Sequence, residues 1–244
     1  MEAKAMVLKK FNQPLEMGTF PIPKLHEGEV LVKILAAGVC GSDVHMWEGR
    51  DPRIRLPMIL GHEGVGEIVE MNGEKRDVYG SPLHVGDKVL WSRGVTCGQC
   101  YYCKVKMEPS LCPHRWVHGI HTNCAEPPYL TGNYAEYLLL DQKIHFFKIE
   151  PDIDLQVFVP ASCSGATTAH AFDLSRMESG DSVLIQGVWV SEIRHTHMAL
   201  QLILSRLQDF KNIITHSFPL AKANDAIRVM KTREAVKAVL FPHA

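Results

Sequence analysis

Short apolar runs, several alternating with polar positions, mark the first 150 residues of the chain. Residues 3–8, 30–36, 64–71, 88–91 and 135–140 carry this pattern, which is that of half-buried strands. Turn residues punctuate them at 12–14, Gly28, 72–73 and 81–82. Many short strands divided by turn signals predict a barrel-like β domain. The connection over 92–132 is too long to be idle. The pattern changes after Pro160. Residues 165–174, rich in Ala and Thr, predict a helix, and 183–185 reads as a short buried strand. Met198, Leu200, Ile203 and Leu207 place a helix over 196–210, and Leu220, Ala223, Ile227 and Met230 place another over 219–231. Residues 236–241 close as a strand. The expected class is mainly β with an α/β remainder, without internal repeats.

Of the 244 residues, 46% are hydrophobic and 22% charged, enough to bury a core. The 26 basic and 27 acidic residues leave a net charge of -1, which argues against a nucleic-acid or membrane-surface binder. No apolar run approaches the roughly 18 residues of a membrane span. The first ten residues lack the apolar block of a secretory signal, so a cytoplasmic location is expected.

The 7 cysteines, an odd number, cannot all pair with one another. Four of them, Cys97, Cys100, Cys103 and Cys112, form C-x2-C-x2-C-x8-C inside the long connection. Zinc takes four thiolates at tetrahedral corners, and x2 spacing lets one turn supply several of them. These residues are expected to hold a structural zinc that orders a loop with no core of its own. His114, His118 and His121 nearby read as plain loop histidines, because four cysteines already saturate a zinc.

A second set is scattered: Cys40 in Gly38-Val39-Cys40-Gly41-Ser42-Asp43, His62 and Glu63 in Gly61-His62-Glu63-Gly64-Val65-Gly66, and Cys163 before the helix at 165. Spacing alone does not join these residues. With Gly86-Asp87-Lys88-Val89 and the four-cysteine loop, however, the motifs resemble the zinc-dependent medium-chain alcohol dehydrogenase family. The resemblance implies a GroES-like β barrel with two zinc sites. Cys40, His62 and Cys163 match its catalytic zinc ligands, at a third position that varies among Cys, Asp and Glu in the family. Glu63 resembles a carboxylate that is a direct ligand in some members and stands behind the ligands in others. Asp43 resembles the carboxylate that orients the ligand histidine, and Ser42 and His45 resemble the proton relay from substrate to solvent. Arg93 falls in the segment that lines the substrate pocket of relatives. It reads either as a solvated loop arginine or as a selector of anionic or polar substrates.

The family passes hydride to NAD or NADP on a Rossmann domain. A Gly-x-Gly-x-x-Gly turn is expected directly after residues 182–186, where the chain reads Gly187-Val188-Trp189-Val190-Ser191-Glu192. Only 65 residues run from Gly180 to the end, against the roughly 130–150 that two mononucleotide halves need. The chain thus resembles a dehydrogenase with most of its coenzyme domain excised near Gly187. Three parts are expected: a zinc-binding catalytic domain over 1–160, a linking helix and truncated coenzyme fragment over 161–210, and a return to the catalytic domain over 211–244. Two functions remain open: an oxidoreductase acting on a small alcohol or carbonyl compound, impaired by that loss, or a non-catalytic zinc-binding scaffold. The apolar stretches 183–185 and 188–190, stripped of neighbours, predict a homo-oligomer or self-association.

Overall fold

The strands pair in an order far from their order along the chain. The computed structural model describes residues 2–150, 153–176 and 191–244. Its strands are β1 (Glu2–Leu8), β2 (Glu16–Pro21), β3 (Val30–Val39), β4 (Met58–Ile59), β5 (Glu63–Met71), β6 (Lys88–Trp91), β7 (Gly94–Val95), β8 (Trp116–Val117), β9 (Tyr137–Leu140), β10 (Phe146–Lys148), β11 (Ile214–Pro219) and β12 (Lys237–Phe241). The helices are α1 (Gly41–Trp47), α2 (Tyr101–Lys104), α3 (Ser164–Ser175), α4 (Ile193–Ser205), α5 (Leu207–Ile213) and α6 (Ala223–Lys231). The expected elements at 183–185 and 188–190 lie outside the described residues, as does Gly187.

β1 sits between β2 and β4 in a three-stranded sheet. The larger sheet runs β10-β6-β5-β3-β12-β11, and β9 also pairs with β3. β3 is its axis. β5 follows one edge of it from Val30 to Gly38, while β9 takes residues 30–33 and β12 residues 37–39 of the other. Only β11 and β12 run parallel. A bridge between Ala5 and Ala135 links the two sheets, which gives the barrel-like form.

β3 is buried along almost its whole length because it has a core on each face. Val30, Val32 and Ile34 face the main core, and so do Ala37 and Val39. The change from even to odd positions follows from a register shift between Ile34 and Ala36, where one residue is unmatched across the pair with β5. Ala36 faces a second core with Val65, Leu90, Val157 and Val159, onto which α4 packs Ala199, Leu200 and Ile203. These three recur at helical spacing, as the apolar pattern predicts. The helix expected over 196–210 is broken, however. Arg206 leaves helical space at φ -137 and ψ 38, and the chain restarts as α5 with Leu207 and Phe210 against the second core.

The C-terminal part is tied to the N-terminal part by polar bonds. Asn224 on α6 donates to the Leu15 carbonyl at 3.0 Å and accepts from its N–H at 2.7 Å. Lys237, at the start of β12, reaches Glu63 at the start of β5, with Nζ to Oε2 at 2.7 Å. The Glu63 side chain has no exposure and that of Lys237 only 6%. Removing one partner of such a pair leaves a buried charge alone. Lys237→Met is expected to lower stability by about 3–5 kcal/mol in urea unfolding, and the double variant with Glu63→Gln to recover at least half of that loss.

Candidate active site and metal centres

Cys40 follows the last residue of β3 and is the N-cap of α1. Its Sγ accepts from the Ser42 N–H at 3.4 Å, and the Asp43 carboxylate accepts from the Cys40 N–H at 2.9 Å. This reciprocal box fixes Cys40, Ser42 and Asp43 together at the start of α1. His62 precedes β5 and is held in place by its neighbour Gly61. The Gly61 carbonyl is approached so closely by Gly119 that a Cβ on Gly119 would collide with it. Cys163 sits where a 3-10 helix (Leu155–Ser162) passes into α3.

These three segments converge. Cys40, His62 and Cys163 bring their donor atoms within 4.8 Å of one another. Cys40 Sγ lies 3.6 Å from His62 Nε2. That is about the separation of a thiolate and an imidazole on one tetrahedral zinc. On the other side of the ring, His62 Nδ1 lies 3.3 Å from Asp43 Oδ1, within ion-pair distance. Ser42 Oγ touches two of the donors, Cys40 Sγ at 2.9 Å and His62 Nε2 at 3.2 Å. His45 lies three residues beyond Ser42 on α1 and is exposed.

Glu63 does not join this group. Oε2 is bound to Lys237, and Oε1 accepts the Ser164 N–H at 3.1 Å. The sequence leaves open a direct ligand or a carboxylate behind the ligands; Glu63 stands outside the group of converging donor atoms.

The protons of the trio are shared unequally. The Cys163 thiol is held well below its ordinary pKa, first by the hydrogen bond with Cys40 and, against the cost of burial, by the charge of Arg93. Cys40 is pushed up by that same bond and by burial. Burial alone would lower His62, but the charges of Cys163 and Asp43 outweigh it and hold the ring above its usual value. Arg93 Nη1 donates to Cys163 Sγ at 2.9 Å, and its Nε is buried without a partner. The arginine is therefore part of the site and not a solvated loop residue. Arg115, three residues after Cys112, shares a cavity with it. Burial, and then the charge of Arg93, lowers Arg115 to about 9.

Cys97, Cys100, Cys103 and Cys112 form a second group around α2. Cys112 Sγ lies 3.5 Å from Cys97 Sγ and 3.9 Å from Cys100 Sγ, close to the edge of about 3.8 Å expected of a tetrahedral zinc–thiolate site. Backbone N–H groups, that of Gln99 first, hold Cys97 down to about 6, so its thiolate is available near neutral pH. Cys124 lies apart, buried in the main core.

Of the three neighbouring histidines, His121 Nδ1 accepts the Val117 N–H at 2.9 Å. His118 is not a loop histidine in water. It is 1% exposed, edge-on to Trp116, and both ring nitrogens lack partners. Lys237 and Arg115 are absent from the sequence-derived set. A lysine opening an otherwise apolar strand is the signal that marks Lys237, whereas nothing local marks Arg115.

Residues 26–151 match the alcohol dehydrogenase GroES-like domain. An alcohol dehydrogenase of Geobacillus stearothermophilus is 39% identical over 191 residues, 76% of this chain and 51% of its own length. A NAD-dependent alcohol dehydrogenase of Sulfolobus acidocaldarius is 33% identical over 190 residues, 75% of this chain and 51% of its own. The crystal structure of an alcohol dehydrogenase from Thermotoga maritima matches with a TM-score of 0.90 at 32% identity, over 99% of each chain. That of Aeropyrum pernix shares the fold at a TM-score of 0.71 and 18% identity, over 98% of this chain and 100% of its own. Fold and motifs together define a GroES-like domain of the metal-dependent type. The chain belongs to the zinc-dependent medium-chain alcohol dehydrogenase family. It spans about half the length of the curated relatives it matches.

Burial lowers the His118 pKa from 6.5 to about 3. The unfolded chain therefore binds a proton between these values that the folded chain refuses, so stability is full above pH 6.5 and falls as pH drops below it. His118→Phe is expected to remove about 2 kcal/mol of the stability lost between pH 6.5 and 5, read as a flatter urea midpoint against pH.

Proposed function

We propose that this chain is the metal-binding, alcohol-activating part of an alcohol dehydrogenase-type oxidoreductase. The convergence of Cys40, His62 and Cys163 from distant segments carries the reading. In this reading those three residues hold a catalytic zinc, and Cys97, Cys100, Cys103 and Cys112 hold a structural one. The donor sets fit. Three protein ligands leave a fourth corner for substrate, while four thiolates close the other site. A zinc at the trio would act as a Lewis acid on an alcohol oxygen and favour its alkoxide.

The rest of the chemistry belongs to the side chains. Ser42 Oγ, beside two of the donors, accepts the substrate's hydroxyl proton. His45, one turn along α1 and open to solvent, is the outlet for that proton. Asp43 holds the His62 ring so that Nε2 faces the trio. Glu63 is a positioning residue, bound to the first N–H of α3 and to Lys237.

A nicotinamide dinucleotide fits these residues poorly. The fingerprint glycines are lacking in 187–192, and the helix that follows, α4, is capped by Glu192. A carboxylate at that helix start repels the pyrophosphate that a bare N-terminus attracts. No hydride step is assigned to this chain's residues. The same observation favours a second reading, a zinc-binding scaffold of dehydrogenase ancestry. In either case residues 1–160 and 211–244 belong to the metal-binding domain, and 161–210 hold the linking helix, with Cys163 before it as the third ligand, and the truncated coenzyme fragment.

Two measurements on one sample separate the readings. Metal counting is expected to give about two zincs per chain, falling to one in Cys163→Ser and, independently, in Cys100→Ser. Fluorescence titration with NADH and NADPH is expected to show no saturable binding up to about 1 mM. Saturable binding would restore the complete dehydrogenase reading. A zinc count unmoved by Cys163→Ser would remove the catalytic site.

A further inference from the structure

Two cavities flank the trio. Cys40 opens onto one of about 660 Å3, walled by apolar side chains such as Phe172, Met198 and Leu202. On the other side, Arg93 and Ser162 reach a cavity of about 420 Å3 that Arg115 and Lys143 also line. We propose that this second cavity binds the oxyanion of a substrate whose alcohol or carbonyl group lies beside it, a hydroxy or oxo acid or its phosphate counterpart. The inference rests on the metal reading above and names the substrate class of that site.

Among the described residues, the cationic donors of the cavity are only partly used. Arg93 gives one N–H to Cys163, yet its buried Nε has no partner. Ser162 Oγ, on the same wall, is also buried and unpartnered. Among the described residues, the Arg115 side chain makes one hydrogen bond, a long contact of 3.5 Å to the carbonyl of Ser191 on the same wall. Among the described residues, neither guanidinium has a carboxylate within ion-pair distance. The one acid on the wall, Glu192, is already engaged by the N–H and hydroxyl of Ser110 and by Arg194.

Two like charges facing one cavity, with donors unmade, are an arrangement that an anion relieves. It removes their mutual repulsion and completes the missing bonds. The guanidinium fork matches the two oxygens of a carboxylate or phosphate. Position narrows the class further. Arg93 touches the sulfur of a trio member, so an oxyanion on Arg93 stands close to any oxygen held at the trio. The charged group and the reacting carbon must then be near neighbours, as in a 2-hydroxy acid, and not at opposite ends of a long chain.

The test uses the full chain with cobalt in place of zinc and follows the part of the visible cobalt–thiolate band that Cys163→Ser removes, since that part belongs to the trio and the rest to the four-cysteine group. Lactate, glycerol 3-phosphate and the neutral propane-1,2-diol are titrated in parallel by the band and by calorimetry. At least one of the two anions is expected to bind tenfold or more tighter than the diol. Arg93→Met and Arg115→Met are each expected to bring that ratio towards one. Arg115 does not touch the trio, so its variant carries the test if Arg93→Met disturbs metal binding. Which anion binds tells carboxylate from phosphate. Equal affinity for all three compounds, or a preference that survives both variants, overturns the inference. A cobalt band that Cys163→Ser leaves unchanged sinks the metal reading of the trio instead, while calorimetry still decides the oxyanion preference.

Discussion

Glu63 has a carboxylate with no access to water, and it is tolerated because Lys237 reaches it from a strand that enters 174 residues later. The position of this carboxylate explains why three remote segments meet. Glu63 follows His62 directly. It accepts the N–H of Ser164, which follows Cys163. It also fills the space above Gly38, two residues before Cys40, where a Cβ would run into it. One buried acid is therefore next in sequence or in space to every member of the trio. It sets their mutual positions without contributing a donor, and β12 must return to the middle of the sheet to neutralise it.

The two donor groups solve different problems. The four cysteines are close in sequence and ride on a loop whose helices are a single turn and a 3-10 turn, so a metal held by them would supply order that the loop's own packing does not. The trio is assembled by the sheet. Its geometry is a product of the β3–β5 register and of the cap on α1, and it is flanked by open space on both sides. In the proposed reading a site of the first kind would hold structure together, whereas the second would offer a reactive position to small molecules.

Much of this was legible in the chain. The alternation over 30–36, 64–71 and 88–91 marks β3, β5 and β6, and Cys-x2-Cys-x2-Cys marks the loop group without further help. The trio was legible only through family motifs, because its ligands carry no spacing of their own. What stayed hidden has physical causes. β2 is an edge strand, mostly exposed, so burial imposes no clear apolar pattern on it. β4 and β8 are two residues long, below any period. The break at Arg206 answers to the second core and not to local propensity. His118 and Arg115 look like ordinary loop residues until the long connection is folded against Trp116 and Arg93.

Arg93 has one more consequence, which concerns how the long connection is anchored. Its guanidinium reaches the sulfur of Cys163, 70 residues further along the chain. The connection over 92–132 is therefore tied, at its very start, to the segment that opens α3. The four cysteines leave the sheet from a fixed point, and only what lies beyond that point has to find its own order.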